Sequence, residues 1–378
     1  MTLTRDELIR YNRQIILPDF GVEGQQKLKE AKVLVIGAGG LGAPNLQYLT
    51  AAGVGTIGVV DFDEVSLTNL QRQVLFQTDE VGHNKASTAV AHLQKLNPDT
   101  VFKVYPTQLS SANALEIIAQ YDLVVDGSDN LPTRYLVNDA CVMLGKTLIY
   151  GAIFRFEGQV SVFNQLQEDG ERGPNYRDLF PTPPPPDMVP SCSEGGVFGV
   201  LPGIVGSMQA NEAIKVIAGL GESLSGRLLL FDSLDFSSRY LNVRSNPENP
   251  VSGANPTITE LIDYEAFCAG PEVEQPSLAE ITVSELKAGK DQFFILDVRE
   301  PYEYEISNLG GINIPLATVA SRLSEIPKDR KVVVHCKSGV RSKQAIELLK
   351  AKGYTHLYNL AGGILAWQKE IENSMPVY

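Results

Sequence analysis

Apolar and β-branched residues fall in short runs at 33–36, 56–60, 102–105, 123–126 and 147–150. Between these runs, residues 85–96 and 113–120 repeat their apolar positions at the three- and four-residue spacing of a helix. Short apolar runs alternating with helices predict an α/β fold, doubly wound, with a mainly parallel sheet covered on both faces. Residues 158–164 and 227–232 read as further strands. Residues 209–217 read as a helix that follows a glycine-rich stretch at 195–206.

The alternation lapses between 246 and 278, where Asn, Pro, Glu and Gly dominate. This predicts an interdomain linker of about thirty residues, spanning roughly 30 Å as a flexible coil. The pattern then resumes, with strands expected at 293–297, 331–335 and 357–360 and a helix at 342–352. The expected organisation is a first domain at 1–245, a linker at 246–278 and a small α/β domain at 279–378. Four consecutive prolines in Pro181-Thr182-Pro183-Pro184-Pro185-Pro186-Asp187 remove backbone donors, so this segment is expected to be an exposed loop.

Composition narrows the function classes. The 378 residues suffice for two cores, and a net charge of −13 argues against a nucleic-acid partner. The start of the chain lacks the apolar stretch of a signal peptide, and no apolar run is long enough to cross a bilayer. A soluble, cytoplasmic protein with no membrane partner is therefore expected. Cys141, Cys192, Cys268 and Cys336 lie far apart, which is neither a disulfide framework nor a metal pattern. His83, His92, His335 and His356 show no ligand spacing. Cys141 sits in an apolar stretch and reads as core.

Gly37-Ala38-Gly39-Gly40-Leu41-Gly42 follows the first strand and opens a helix. Such a turn presents backbone amides and a helix N-terminus to phosphate, and the sheet around it is then Rossmann-like. Asp61 ends the next strand, where a carboxylate can hold ribose hydroxyls. The loop alone suits a nicotinamide or flavin cofactor as well as ATP. The residues that follow favour ATP: Asp61-Phe62-Asp63, then Asn69-Leu70-Gln71-Arg72-Gln73, then Lys85, then Asp126-Gly127-Ser128-Asp129-Asn130. Arg72 and Lys85 are placed to neutralise a triphosphate, and Asp129 to position Mg²⁺. No candidate acid for hydride transfer accompanies them.

From Arg10-Tyr11-Asn12-Arg13-Gln14 to Ala210-Asn211-Glu212-Ala213-Ile214-Lys215 the chain resembles the MoeB/ThiF family, relatives of the ubiquitin-activating enzymes. The resemblance covers nearly all of residues 5–245. It implies adenylation of the C-terminal glycine of a small ubiquitin-like sulfur carrier ending in Gly-Gly, with ATP and Mg²⁺. It implies that Gly40, Asp61, Asn69, Arg72, Lys85 and Asp129 hold the nucleotide, with Arg72 and Asp129 acting in catalysis. Arg13 would reach the nucleotide of a second subunit, so a homodimer is implied. Residues 151–156 would lie beside the carrier's tail, and the proline-rich loop would cross over it. Cys192, in Pro190-Ser191-Cys192-Ser193-Glu194, would take the acyl group as a thioester or form an acyl disulfide during sulfur delivery. The family commonly carries two Cys-x-x-Cys zinc pairs. Here those places read Asn175-Tyr176-Arg177-Asp178 and Asn249-Pro250-Val251-Ser252, so no structural zinc is expected and packing alone is expected to hold the region.

Cys336 follows an apolar strand and opens Lys337-Ser338-Gly339-Val340-Arg341, which runs into a helix. Amides converging there, with a helix N-terminus behind them, favour a thiolate able to carry sulfane sulfur as a persulfide. A tyrosine phosphatase loop needs its arginine one residue later. With Leu296-Asp297-Val298-Arg299-Glu300 and Leu360-Ala361-Gly362-Gly363-Ile364, residues 279–378 resemble the rhodanese sulfurtransferases. Ser307-Asn308 departs from the Gly-His that many rhodaneses carry, in a segment read as structural.

Taken together, these features imply an activated carboxyl group that receives sulfur from Cys336 to become a thiocarboxylate. Molybdopterin or related cofactor synthesis is the implied pathway, with a cysteine desulfurase or thiosulfate as sulfur donor. The alternative is an activator that passes its carrier on as a Cys192 thioester, with a regulatory rhodanese domain.

Overall fold

Eight strands build the first sheet, seen in a computed structural model that describes residues 2–184, 195–269 and 278–376. They are β1 (Lys32–Ile36), β2 (Thr56–Val60), β3 (Val101–Tyr105), β4 (Leu123–Asp126), β5 (Thr147–Phe154), β6 (Glu157–Phe163), β7 (Arg227–Asp232) and β8 (Ser237–Asn242). The order is β3-β2-β1-β4-β5-β6-β7-β8. The first five are parallel neighbours. The last three are antiparallel, which the expectation of a mainly parallel sheet did not separate. The reversal begins at a tight turn where Arg155 takes a left-handed φ of 54°.

Alternate residues of each central strand serve opposite layers. Val33 and Val35 join a core with Leu28, Leu46, Leu49, Leu93 and Val205, whereas Leu34 and Ile36 join one with Ile117, Tyr135, Leu136 and Cys141. Both faces are thus buried, as the continuous apolar runs predict. The helix expected at 209–217 spans Leu201–Ala218 and absorbs part of the glycine-rich stretch. Gly206 explains this: a Cβ there would lie 2.4 Å from Pro44 and 2.5 Å from the Leu41 carbonyl, so glycine lets two helices pack closely. β8 escaped notice because all six of its residues are exposed and leave no apolar alternation.

Residues 246–269 are not a linker. The chain divides into units Met1–Pro271 and Glu272–Tyr378, with Val251 and Tyr264 buried in the first. The helix Tyr264–Ala269 packs on the helix Leu131–Met143, and Phe267 meets Tyr135 edge to face at 5.3 Å. Its few apolar anchors were masked by polar neighbours, and the thirty-residue tether falls with this correction. Cys268 borders the same core.

The places of the two cysteine pairs are joined by hydrogen bonds, which corrects the expectation of packing alone. Asn175 Nδ2 donates to Ser252 Oγ (2.7 Å), and Asn249 Nδ2 donates to Asp178 Oδ1 (2.7 Å) and Asn175 Oδ1 (3.3 Å). Asn249 Oδ1 accepts the Val251 and Ser252 amides. Two amides, a hydroxyl and one carboxylate do not fit a zinc site that needs thiolates or imidazoles. Among the described residues no cluster of three His, Cys, Asp or Glu side chains is placed to hold a metal.

The second unit is a five-stranded parallel sheet ordered β11-β10-β12-β13-β9. Its strands are β9 (Glu280–Ile281), β10 (Phe293–Asp297), β11 (Ile312–Asn313), β12 (Lys331–His335) and β13 (Leu357–Leu360). The helix Val340–Ala351 starts two residues before its expected position. Among the described residues no helix is long and apolar enough to cross a membrane.

Candidate functional site

The carboxyl ends of β1, β2 and β4 open into a cleft of about 900 Å³, counting its mouth. β1 lies between β2 and β4, so the cleft sits where the connections turn in opposite directions. Gly37, at φ 84°, starts the loop, and Gly42 ends it. A Cβ on Gly42 would fall 1.9 Å from the Gly37 carbonyl, so this glycine closes the loop on itself. Asp61 accepts the Ala38 amide at Oδ2 (2.7 Å) and the Asp63 amide at Oδ1 (2.9 Å), tying the β2 end to the glycine loop. Burial pushes its carboxyl above the usual range, against the pull of the Ala38 amide and the Lys85 charge.

Lys85 begins the helix Lys85–Leu96, whose cap Asn84 also donates to the Asp61 and Asp63 carbonyls. Its side chain is buried against the cleft, with Nζ 2.9 Å from Asp63 Oδ2. Arg72 and Gln73 are delivered by a tight turn in which both amides donate to the Asn69 carbonyl (3.0 and 2.9 Å). Asn130 caps the helix Leu131–Met143, its Oδ1 accepting the Thr133 amide. Asp129 stands exposed at the rim beside it.

Gly37, Gly39, Gly40, Asp61, Asp63, Arg72, Gln73, Lys85, Asp129 and Asn130 therefore line one cleft. Gly42 and Asn69 shape its loops from behind. Arg13 does not line it; it is exposed on the short helix Asn12–Ile15. The sequence reading passed over Thr107, Gln108 and Leu109 after β3, and Thr133 and Arg134 on the opposite wall, which Ser128 and Ile153 also line. Arg134 carried a usable signal, since it follows the Asn130 cap by one helical turn. Three cations, several carboxylates and a glycine loop suit a magnesium triphosphate: the loop amides, Arg72 and Lys85 would hold the phosphates, and the exposed Asp129 the metal.

In the second unit, Cys336 follows β12 and is 1% exposed. The Gly339 amide donates to its Sγ (3.2 Å), and Ser342 Oγ lies 3.5 Å away. The Ser342 hydroxyl is also 2.7 Å from Asn359 Oδ1. Gly363 backs the loop: a Cβ there would meet the Lys337 and Cys336 carbonyls at 2.4 and 2.7 Å. The Ile364 amide donates to that Cys336 carbonyl (3.0 Å). Arg341 ends the loop in a two-pronged pair with Glu303 (2.6 and 2.8 Å). Arg299, buried on Asp297, donates to the Glu303 and Ser307 carbonyls and so fixes the helix that presents Glu303. Ser307 serves there through its backbone. His335 is fully buried 3.6 Å from Asp297, and burial lowers its pKa below the ordinary 6.5. Cys192 and residues 185–194 around it lie outside the described residues.

A cleft of this kind handles a nucleoside triphosphate, and a thiol so cradled handles sulfane sulfur. The class is an ATP-binding adenylyltransferase that carries a sulfurtransferase domain. The chain belongs to the ThiF family, matched over residues 11–251, and matches the rhodanese-like domain over 282–370. It is 47% identical over 385 residues to the probable adenylyltransferase/sulfurtransferase MoeZ of Mycobacterium tuberculosis, an alignment covering 100% of this chain and 96% of that protein. It is 60% identical over 268 residues to the sulfur carrier protein adenylyltransferase of Thermus thermophilus, covering 71% of this chain and 99% of that one. Among solved structures it is similar to Escherichia coli MccB with ATP, with a TM-score of 0.56 and 25% identity over 65% of this chain and 74% of that chain.

Proposed function

We propose that the first unit adenylates the C-terminal glycine of a small ubiquitin-like sulfur carrier, and that Cys336 supplies the sulfur converting it to a thiocarboxylate. One observation carries the reading: a cleft equipped for ATP and a cradled thiol occur in a single chain. A carboxylate oxygen attacks the α-phosphorus of ATP, pyrophosphate leaves with the bonding pair, and an acyl-adenylate forms. Arg72 and Lys85 offset the phosphate charge, Asp61 orients the ribose, and Asp129 serves Mg²⁺. The terminal sulfur of a Cys336 persulfide then attacks the acyl carbon and expels AMP, giving an acyl disulfide. A second thiol, Cys192 in this proposal, attacks the Cys336 sulfur and releases the thiocarboxylate. The protein disulfide left behind is reduced by an external thiol.

Arg13 completes the nucleotide site of a second copy in a homodimer. The work is cytoplasmic and supplies molybdopterin or a related sulfur-containing cofactor, with a cysteine desulfurase or thiosulfate loading Cys336. The Thermus relative's name supports the carrier. The test is incubation with ATP, a sulfur source and a Gly-Gly-ended carrier, followed by intact mass of the carrier. Replacement of one oxygen by sulfur is expected. An unchanged carrier mass with every such carrier overturns the proposal.

A further inference from the structure

The Ser342 hydroxyl has one proton and three acceptors in reach. They are Asn359 Oδ1 at 2.7 Å, the Gly339 carbonyl at 2.9 Å and Cys336 Sγ at 3.5 Å. Ser342, Asn359 and Cys336 are all buried, so the acceptor that takes the proton decides what the sulfur faces. The Gly339 carbonyl already accepts the Lys343 amide (3.3 Å). Asn359 Oδ1 has no other donor among the described residues, and a buried amide oxygen left unmet is costly. The proton therefore lies on Asn359, and Ser342 turns its lone pairs to the sulfur.

Glu280 decides which end of the Asn359 amide faces Ser342. The two residues are register partners on β9 and β13. Asn359 Nδ2 donates to Glu280 Oε1 (3.1 Å), which points Oδ1 at Ser342. A carboxylate only accepts, so the reversed amide, with its oxygen toward Glu280, is disfavoured while that carboxylate stands there. Lys343 Nζ lies 3.3 Å from the same carboxylate oxygen. Arg341, the other cation that opens this helix, is engaged by Glu303. Lone pairs turned to the sulfur accept a thiol proton but repel a thiolate.

We infer that Glu280 is a positioning residue for Cys336: through Asn359 it commits the Ser342 proton away from the sulfur and holds the resting group as a thiol. The inference rests on the reading of Cys336 as the sulfur carrier. At rest the Cys336 S–H donates to Ser342 Oγ. On ionisation that proton leaves to a base in solvent, and the electron pair left on sulfur meets the Gly339 amide but not the hydroxyl. Where the Asn359 amide reverses, Nδ2 donates to Ser342 Oγ and the hydroxyl proton turns to the sulfur. That arrangement favours the thiolate, which is the form that attacks a sulfur donor. Glu280 thus restrains a thiol that ionises more readily without it.

The test is the rate at which iodoacetamide alkylates Cys336 in the full chain at pH 7.5, followed by the mass of the peptide that carries it. Glu280 is half exposed, so its variants are expected to fold, and the Trp367 unfolding transition checks each one. Glu280→Ala is expected to react about 3- to 10-fold faster than wild type, the scale of one hydrogen bond. Glu280→Gln keeps an acceptor for Asn359 and should stay nearer wild type. In a Ser342→Ala background, Glu280→Ala should change nothing. An unchanged or slower Glu280→Ala overturns the inference. Equal acceleration by Glu280→Ala and Glu280→Gln overturns it too, since loss of charge would then be the cause, as does acceleration that survives Ser342→Ala. Loading of Cys336 from thiosulfate is read on the same proteins as a gain of one sulfur. A wild type that never gains sulfur, with alkylation rates in the expected order, overturns the sulfur reading while supporting the role of Glu280.

Discussion

Arg177→Met tests how the first unit is held together near Asn175 and Asp178. Arg177 and Asp139 are both fully buried, and the pair is two-pronged, with Nε and Nη2 each 2.7 Å from a carboxylate oxygen. Asp139 also accepts from the Tyr264 hydroxyl (2.8 Å) and from Asn138 Nδ2 (3.0 Å). The guanidinium lies between the Tyr135 and Phe267 rings, 4.8 and 4.9 Å from their centroids, and Nη1 donates to the Pro181 carbonyl. Removing it leaves a buried carboxylate with neutral donors only, which costs about 3–5 kcal/mol. For a unit of this size that is a melting shift of about 6–20 °C, read by calorimetry on the full chain. The single tryptophan, Trp367, lies in the second unit, so its fluorescence transition serves as an internal control. Arg177→Met with Asp139→Leu should recover most of the loss, because exchanging a whole buried pair for apolar groups is near neutral. A single-variant shift under about 2 °C, or a double variant no better than the single, would refute the reasoning.

Three other outcomes are expected. Asn249→Ala strips partners from Asp178, Asn175 and two amides, and should cost the first unit about 2–3 kcal/mol, while a strong chelator should leave wild-type melting unmoved. A chelator-induced shift would show a metal at this place. Lys85→Ala should lower carrier-dependent ATP–pyrophosphate exchange by about 10²–10³-fold without affecting persulfide loading at Cys336; an unaltered exchange rate would remove Lys85 from the site. His335, held neutral by burial despite Asp297, has a folded pKa below its unfolded 6.5. The unfolded chain therefore binds the extra proton as pH falls, and the second unit should lose stability below about pH 6.5 by up to 1.4 kcal/mol per pH unit. Urea titrations followed by Trp367 at pH 5.5 and 7.5 measure this, and an identical slope in His335→Gln would assign the loss elsewhere.

What could be read from the chain was whatever repeats locally. Strands buried on both faces announce themselves as apolar runs, and the glycine loop, Asp61, Lys85 and Cys336 each sit at a fixed offset from one. The missed features are pairings across long separations. Arg177 meets Asp139 from 38 residues away, and Tyr264 reaches the same carboxylate from 125. Neither spacing leaves a period. Residues 246–269 looked like a linker because a polar segment anchored by a few aromatics has a linker's composition. β8 was missed because an exposed edge strand need not alternate. Arg134 was passed over although it follows the Asn130 cap by one helical turn, because only the fold shows that it lines the cleft.

The two sites use the same place in the fold for opposite electrostatic tasks. Each lies where a parallel strand passes into a helix, so backbone amides and the helix N-terminus face whatever binds. In the first unit the negative charge arrives with the ligand, and side-chain cations must meet it. Lys85 waits on Asp63, a half-exposed carboxylate from which it can transfer to phosphate. In the second unit the group to be met is carried on the protein's own sulfur, which the Gly339 amide already faces. The nearby Arg341 is instead committed to the buried Glu303, which Arg299 fixes from behind. A loop whose arginine is neutralised in this way suits a singly charged persulfide better than a phosphate dianion. That is the physical reason the shorter loop after Cys336 belongs to sulfur transfer.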